Sequence, residues 1–257
     1  MIITPLYSLA GVLVGLLVGL TGVGGGSLMT PLLVLAFGFH PATAVGTDLL
    51  YASATKSVGT VVHGWRGTVD WRVVARLAAG SVPATIVTII ALHYAAEKQD
   101  MGQAISAILG VTLVLSAVAT VFRMRIVGSL TRLFGKIGTA RLAWLTVLLG
   151  VVLGVLVSIT SVGAGALGMT ALLILYPSLP INRLVGSDIA HAVPLTLLGG
   201  FGHWLLGSVN GTLLFSLLLG SIPGIIVGSL IASRISDRIL SPILAAVLAL
   251  VGLRLLF

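Results

Sequence analysis

Apolar stretches of about 13 to 25 residues follow one another from Pro5 to Phe257 with only short polar links between them. This succession constrains the fold more than any other feature. A soluble domain carries roughly 25% charged residues; here 8% are charged and 58% are hydrophobic. The mean hydropathy is +1.20. Nothing is left over to wet a globule. In lipid only helices and closed barrels satisfy their own backbone groups, and these stretches are too continuously apolar for the alternating strands of a barrel. The expected fold is an all-α polytopic membrane protein with roughly 8–10 transmembrane segments.

Ten segments are predicted, at about 5–21, 24–38, 42–63, 70–94, 101–121, 142–160, 164–176, 182–206, 210–232 and 238–257. The stretch Met1 to Leu20 lacks the basic start and cleavage site of a signal peptide, and is read as a first helix that stays. The second and seventh segments are short. A 15-residue helix reaches about 22 Å, less than the ~30 Å hydrocarbon core, so these two are candidates for half-helices.

The chain repeats itself. At a spacing of 140 residues Val45, Gly46 and Asp48 fall on Val185, Gly186 and Asp188. Gly59, His63 and Gly67 fall on Gly199, His203 and Gly207, and Gly80, Ser81 and Pro83 on Gly220, Ser221 and Pro223. Met29 and Thr30 match Met169 and Thr170. Apolar bias alone does not align Asp, His and Pro in one register. The division follows: residues 1–121 as a first transmembrane repeat, 122–141 as a basic cytoplasmic connector, and 142–257 as a second transmembrane repeat.

The net charge of +8 does not point to nucleic acid, because the basic residues sit in links between apolar segments. Arg66, Arg72 and Arg76, the connector, and Arg234 with Arg238 are expected in the cytoplasm. The links equivalent to these in the other half are not basic, so the two repeats are inverted and both termini lie outside. Five crossings per half give this result; so does a re-entrant hairpin followed by three. Trp65, Trp71, Trp144 and Trp204 fall near segment ends, as an interfacial aromatic belt does. Arg132 and Lys136, with Leu133, Phe134 and Ile137, are expected to form a short basic helix on the anionic inner leaflet.

Between the first and second segments stands Thr21 to Thr30, TGVGGGSLMT, and between the sixth and seventh Thr160 to Thr170, TSVGAGALGMT. Glycine costs about 1 kcal/mol against alanine inside a helix, so Gly22, Gly24, Gly25 and Gly26 break one. A helix restarting at Gly24 or at Gly163 presents about four unpaired amides and the positive end of its dipole. Two such ends, placed where inverted repeats meet near the midplane, cradle an anion without any lysine. Thr21, Ser27, Thr160 and Ser161 add hydroxyls, and Gly165 continues the second break. Close packing of small residues is the competing explanation; it suffices for Gly11, Gly15 and Gly19, four apart on one face.

Asp48 and Asp188 are the acids inside apolar segments, where an ionisable group is expensive and marks function by default. They either carry a coupling proton or cation, or clamp the broken backbone. Capping of nearby helix starts is the structural alternative. Lys56 lies two turns, about 12 Å, beyond Asp48 and has Thr196 as its counterpart; it either supplies positive charge to an anion or snorkels toward Arg66. The paired His63 and His203 are candidate gates or proton relays. His191 lies three residues past Asp188 on the same face and is placed to tune that acid. Pro83 and Pro223 kink or start their helices. His40 and His93 are read as interfacial. Without cysteine, thiolate chemistry is excluded. No spacing suggests a metal site, and no cofactor motif is present.

The paired repeats, the break Gly22-Val23-Gly24-Gly25-Gly26-Ser27, Ala44 to Asp48 (AVGTD) and its echo Val185 to Asp188 (VGSD) resemble the TauE/SafE family of sulfite exporters. The likeness covers essentially the full length. In the second break Ala164 and Ala166 replace a glycine and the Ser27 position, so a weaker or purely structural second site is implied. The resemblance implies a plasma-membrane transporter moving sulfite, organosulfonates such as sulfoacetate, or related small anions outward. It carries the two breaks and the two aspartates over as site residues. The competing readings are cation-coupled or proton-coupled transport of another solute or metal through Asp48 and Asp188, an intramembrane enzyme built on His191 and Asp188, and a receptor. The expected partners are the small anion and the bilayer, with no nucleic acid; self-association into a homodimer is left open.

Overall fold

The computed structural model describes residues 5–21, 26–96, 101–134, 138–231 and 237–257. Among them there are helices and turns but no strand. The first half comprises α1 (Pro5–Thr21), α2 (Gly26–Leu35), α3 (Pro41–Trp65), α4 (Trp71–Ala96) and α5 (Gly102–Val121). The connector carries α6 (Arg123–Phe134). The second half comprises α7 (Thr139–Thr160), a π-helical turn Ala164–Gly168 running into α8 (Met169–Leu175), then α9 (Ile181–Leu205), α10 (Gly211–Ile231) and α11 (Asp237–Leu256). Five helices (α4, α5, α7, α9 and α10) are long and apolar enough to cross a membrane. α3 is as long as α9 but carries Asp48, Lys56 and several hydroxyls, and it buries them.

Local chemistry sets the helix ends, in the same way in both halves. Pro41 opens α3 and Pro180 immediately precedes α9, positions where the missing amide costs nothing. α3 and α9 stop at Gly67 and Gly207, whose φ values of +65° and +71° are left-handed. The amides of Thr68 and Ser208 then return to the carbonyls of His63 and His203 at 3.0 and 2.9 Å, which closes the last turn. Asp70 caps α4 by accepting the amides of Arg72 and Val73, and Asn210 caps α10 by accepting that of Leu213.

The inversion is visible in the packing. α3 and α9 are equivalent helices, and they cross antiparallel: Gly59 lies against Ile189, and Gly199 against Leu49. A twofold axis that exchanges two antiparallel helices runs perpendicular to them, hence in the plane of the membrane. α5 and α11 meet in the same sense, with Gly110 against Gly252 and Leu256. The halves are interlocked. α1 packs along α10, where a Cβ on Gly11 or Gly15 would strike the backbone of Leu217 or Ser221. α7 packs along α4 through the matching contacts of Gly150 with Leu77 and Gly154 with Ser81. Small residues thus let helix backbones touch where no hydrophobic force drives helix association, as read for Gly11 and Gly15.

The short segments are returning arms. Tyr7 near the start of α1 packs edge-on against Phe37 just beyond α2, with ring centroids 5.1 Å apart. In the second half Thr146 of α7 shares a 2.8 Å hydrogen bond with Tyr176 just beyond α8. Each pair of helices is therefore a hairpin, with the glycine break at the tip of the second, and each is followed by three long helices. Sequence left this choice open, because α7 alone is long enough to cross. Trp65, Trp71, Trp144 and Trp204 are all exposed, Trp65 by 86%, in keeping with an aromatic belt. The connector helix begins at Arg123, earlier than the basic cluster around Arg132 suggested; Lys136 and Ile137 lie outside the described residues.

Candidate functional site

The crossing of α3 and α9 defines the centre. Midway between the Leu49–Gly199 and Gly59–Ile189 contacts lie Ala54 and Pro194. Asp48 and Asp188 each stand six residues, about 9 Å, before that point on antiparallel helices, so they sit on opposite sides of it. Lys56 is two residues past Ala54, about 3 Å along the axis. It is 8% exposed. This one cation interacts electrostatically with Asp188 and with Asp48. A second positive charge, Arg123 at the head of α6, acts on Asp188.

The hairpin tip of the second half reaches the first half's carboxylate. α7 ends when Ser161 turns left-handed at φ 60°. Gly163 follows at φ 121°, a conformation that a side chain resists. The amides of Leu167 and Gly168 both return to the Gly163 carbonyl, at 3.0 and 2.9 Å; the longer of these loops makes the π turn. Thr160 secures the tip. Its hydroxyl donates to the Leu156 carbonyl and accepts the Val162 amide. Ser161 is different: its hydroxyl faces the Asp48 carboxyl without a hydrogen-bond partner among the described residues.

Asp48 is completely buried. Thr30 of α2 donates to its Oδ2 at 2.5 Å, while Oδ1 has no partner among the described residues. Tyr51, one turn on, faces Ser221 of α10. The symmetry-related pair is His191 and Ser81, joined through Nε2 at 2.9 Å. Asp188 lies against the π turn, its Oδ1 close to Gly168. Thr170, the counterpart of Thr30, turns instead to the carbonyl of Ala166. Among the described residues Asp188 Oδ1, His191 Nδ1, and the hydroxyls of Tyr51 and Ser221 have no hydrogen-bond partner. Buried polar atoms are ordinarily paired. A concentration of open ones around two carboxylates and a lysine is the chemistry of a site that meets a polar ligand or protons.

Comparison with known proteins agrees with this architecture. Residues 7–255 match the family model described as Sulfite exporter TauE/SafE. The chain belongs to the TauE/SafE family. It is 40% identical over 213 residues to the probable membrane transporter protein YjnA of Bacillus subtilis (strain 168), covering 82% of this chain and 83% of that one. It is 26% identical over 214 residues to the probable membrane transporter protein YdhB of the same organism, covering 80% and 81%. No solved structure matches the chain. It is a multi-pass membrane transporter.

Within this TauE/SafE member the expected residues fall into groups. Ser161 faces Asp48, Gly163 follows it in the hairpin tip, and Gly165 lies in the π turn. Asp188 and His191 stand on the other side of the crossing; His191 bonds Ser81 rather than Asp188. Gly22, Gly24 and Gly25 lie outside the described residues. Of Thr21, Gly26 and Ser27 the backbone alone is described: Thr21 ends α1, and Gly26 and Ser27 begin α2. The motif hydroxyls beside the aspartates have a capping-related role. Thr47 accepts the Asn210 amide and Ser187 the Asp70 amide, so each half fastens a helix start of the other. The two histidines sit at the far ends of α3 and α9, at opposite faces of the protein. Thr30, Tyr51, Ser81, Ser221 and Arg123 were not singled out as site residues. For the first four the signal was the repeat itself, which pairs Thr30 with Thr170, Ser81 with Ser221 and Tyr51 with His191. No group of three or more His, Cys, Asp or Glu side chains suited to a metal occurs among the described residues.

Proposed function

We propose that this transporter exports small sulfur oxyanions, sulfite or organosulfonates such as sulfoacetate, across the plasma membrane by alternating access. The observation that carries the proposal is the meeting of the second hairpin tip with the other half's machinery: Ser161, its hydroxyl open, faces Asp48 beside the crossing near which Lys56 is buried. Lys56 and the hairpin-tip amides attract the anion. Asp48, held by Thr30, clamps the hairpin to α3. Asp188 and His191 lie where the path continues into the other half. With Arg66 exposed between α3 and α4 and Arg72 exposed at the start of α4, the positive-inside rule sets that face in the cytoplasm. An inside-negative potential of 100 mV gives each exiting negative charge about 2.3 kcal/mol, enough to drive export without a coupling ion. The chemistry is passage, with no bond between the anion's heavy atoms made or broken.

A second reading is proton-coupled or cation-coupled transport. It is favoured by the unpartnered oxygens of Asp48 and Asp188. Flux into and out of proteoliposomes separates the two. Sulfite and sulfoacetate flux that follows an imposed potential supports anion export. Flux that follows only a pH gradient moves the mechanism to the carboxylates. Flux of divalent cations or amines with none of either anion overturns the sulfur-oxyanion assignment.

A further inference from the structure

Away from the central crossing, a cavity of about 330 Å³ lies among the start of α3, the end of α4, the start of α5 and the end of α9. Ala42, His93, Met101, Ile105, His203 and Ser208 line it. Its floor carries a buried imidazole. His203 is 2% exposed, and its Nε2 lies 2.8 Å from the carbonyl oxygen of Ser158, three residues before the hairpin tip. A carbonyl can only accept, so Nε2 holds the proton. The other nitrogen, Nδ1, has no partner among the described residues.

The repeat supplies a control. His63, the equivalent residue, shares a 2.8 Å hydrogen bond between its Nδ1 and Thr68 of its own turn. At the matching place stands Ser208, which lines the cavity and whose amide donates to the His203 backbone carbonyl. One histidine of the pair is closed locally. The other is turned to the second hairpin and keeps a nitrogen for something else. A buried unpaired polar atom is costly, so an open nitrogen on a residue that lines a cavity calls for a ligand.

We propose that this cavity is a second station for the transported oxyanion, on the outer side of the central site, and that Nδ1 of His203 exchanges a proton with the anion there. With Nε2–H tied to Ser158, the ring changes state only at Nδ1. Neutral, it accepts the hydrogen of a protonated oxyanion such as hydrogen sulfite. The O–H bond breaks, the N–H bond forms, and the imidazolium holds the deprotonated oxyanion by a charge-assisted hydrogen bond. On release the anion leaves and Nδ1 returns its proton to water. Among the described residues, α4 contributes His93 as the other titratable group of the lining, while α3 and α5 contribute Ala42, Met101 and Ile105, and α7 meets the ring with a backbone carbonyl. Among the described residues of the lining no carboxylate competes with the anion for the imidazolium. The identity of the anion rests on the export reading.

The test is nitrogen NMR of the full chain labelled at its five histidines, titrated with sulfite near neutral pH, beside sulfite flux in proteoliposomes. One ring signal, missing in His203→Gln, is expected to change from a bare to a protonated Nδ1 as sulfite saturates. Ala42→Trp, which fills the cavity and leaves His203 in place, is expected to abolish that response while the signal itself remains. A His203 ring indifferent to sulfite in a wild-type protein that transports sulfite overturns the proposal. So does an undiminished response in Ala42→Trp. A ring response in protein that transports no sulfite upholds the station and overturns the export reading instead.

Discussion

Thr30 donates its hydroxyl hydrogen to the buried carboxylate of Asp48 at 2.5 Å, and so ties the returning arm of the first hairpin to the helix that crosses its symmetry mate. The equivalent Thr170 does not do this; it donates to the Ala166 carbonyl within the second arm. Inverted repeats with the same residues thus hold their carboxylates differently. In the proposed alternating-access cycle this inequality marks one state, with one half engaged and the other released, and the roles exchange in the opposite state.

Thr30→Val keeps the shape of the side chain and removes the donor. Asp48 is left buried with one bond fewer, and the loss is expected to be about 1.5–3 kcal/mol, the range for a hydrogen bond to a charged group. Thr170→Val removes a bond to a backbone carbonyl and is expected to cost about 1 kcal/mol or less. Thermal unfolding in detergent checks this, with Thr30→Val melting below Thr170→Val. Equal melting temperatures would show that the clamp carries no stability.

Ser161→Gly separates backbone from hydroxyl. A left-handed non-glycine residue carries about 1–2 kcal/mol of strain, which glycine relieves. The variant is expected to melt at or above the wild-type temperature and yet to move sulfite at least several-fold more slowly, because nothing then faces Asp48 from the hairpin tip. Wild-type flux in this variant removes the Ser161 hydroxyl from the path.

The interlocked packing predicts which glycines tolerate a methyl group. A Cβ on Gly80 or Gly220 would strike the backbone of Val147 or Ser8, whereas one on Gly211 meets nothing within 4 Å. Overpacking costs about 1–3 kcal/mol. Gly80→Ala and Gly220→Ala are expected to lower the melting temperature and yield, and Gly211→Ala to leave both unchanged or slightly raised.

Much of the fold was legible in the chain, for a physical reason. Helices in lipid are continuous apolar runs, and the segment read as 5–21 is α1 itself; the others fall within a few residues of their helices. The shared register of Asp, His and Pro gave the duplication. Partner choice was not legible. The faces of α1 and α10 are almost wholly apolar, and little in such a face names the helix it will meet. The cross-helix hydroxyls were hidden for a related reason. Many Ser and Thr here bond the carbonyl one turn back, as Thr55 does to Tyr51 and Thr196 to Ala192, so those that reach another helix, such as Thr30 and Ser81, look the same in sequence. Lys56 was visible as a buried cation without a twin. Its place beside the crossing of α3 and α9 required the contacts of Gly59 and Gly199.

That place is the centre of the account, and potential-driven sulfite efflux from proteoliposomes tests it most directly. The comparison is wild type against Lys56→Thr, which installs the residue the second half carries at Thr196. If Lys56 supplies the positive charge that draws the anion to the crossing, the variant should fold and export at least tenfold more slowly, a loss of about 1.4 kcal/mol or more. Efflux at the wild-type rate in folded Lys56→Thr protein would contradict an anion path through the crossing of the two halves.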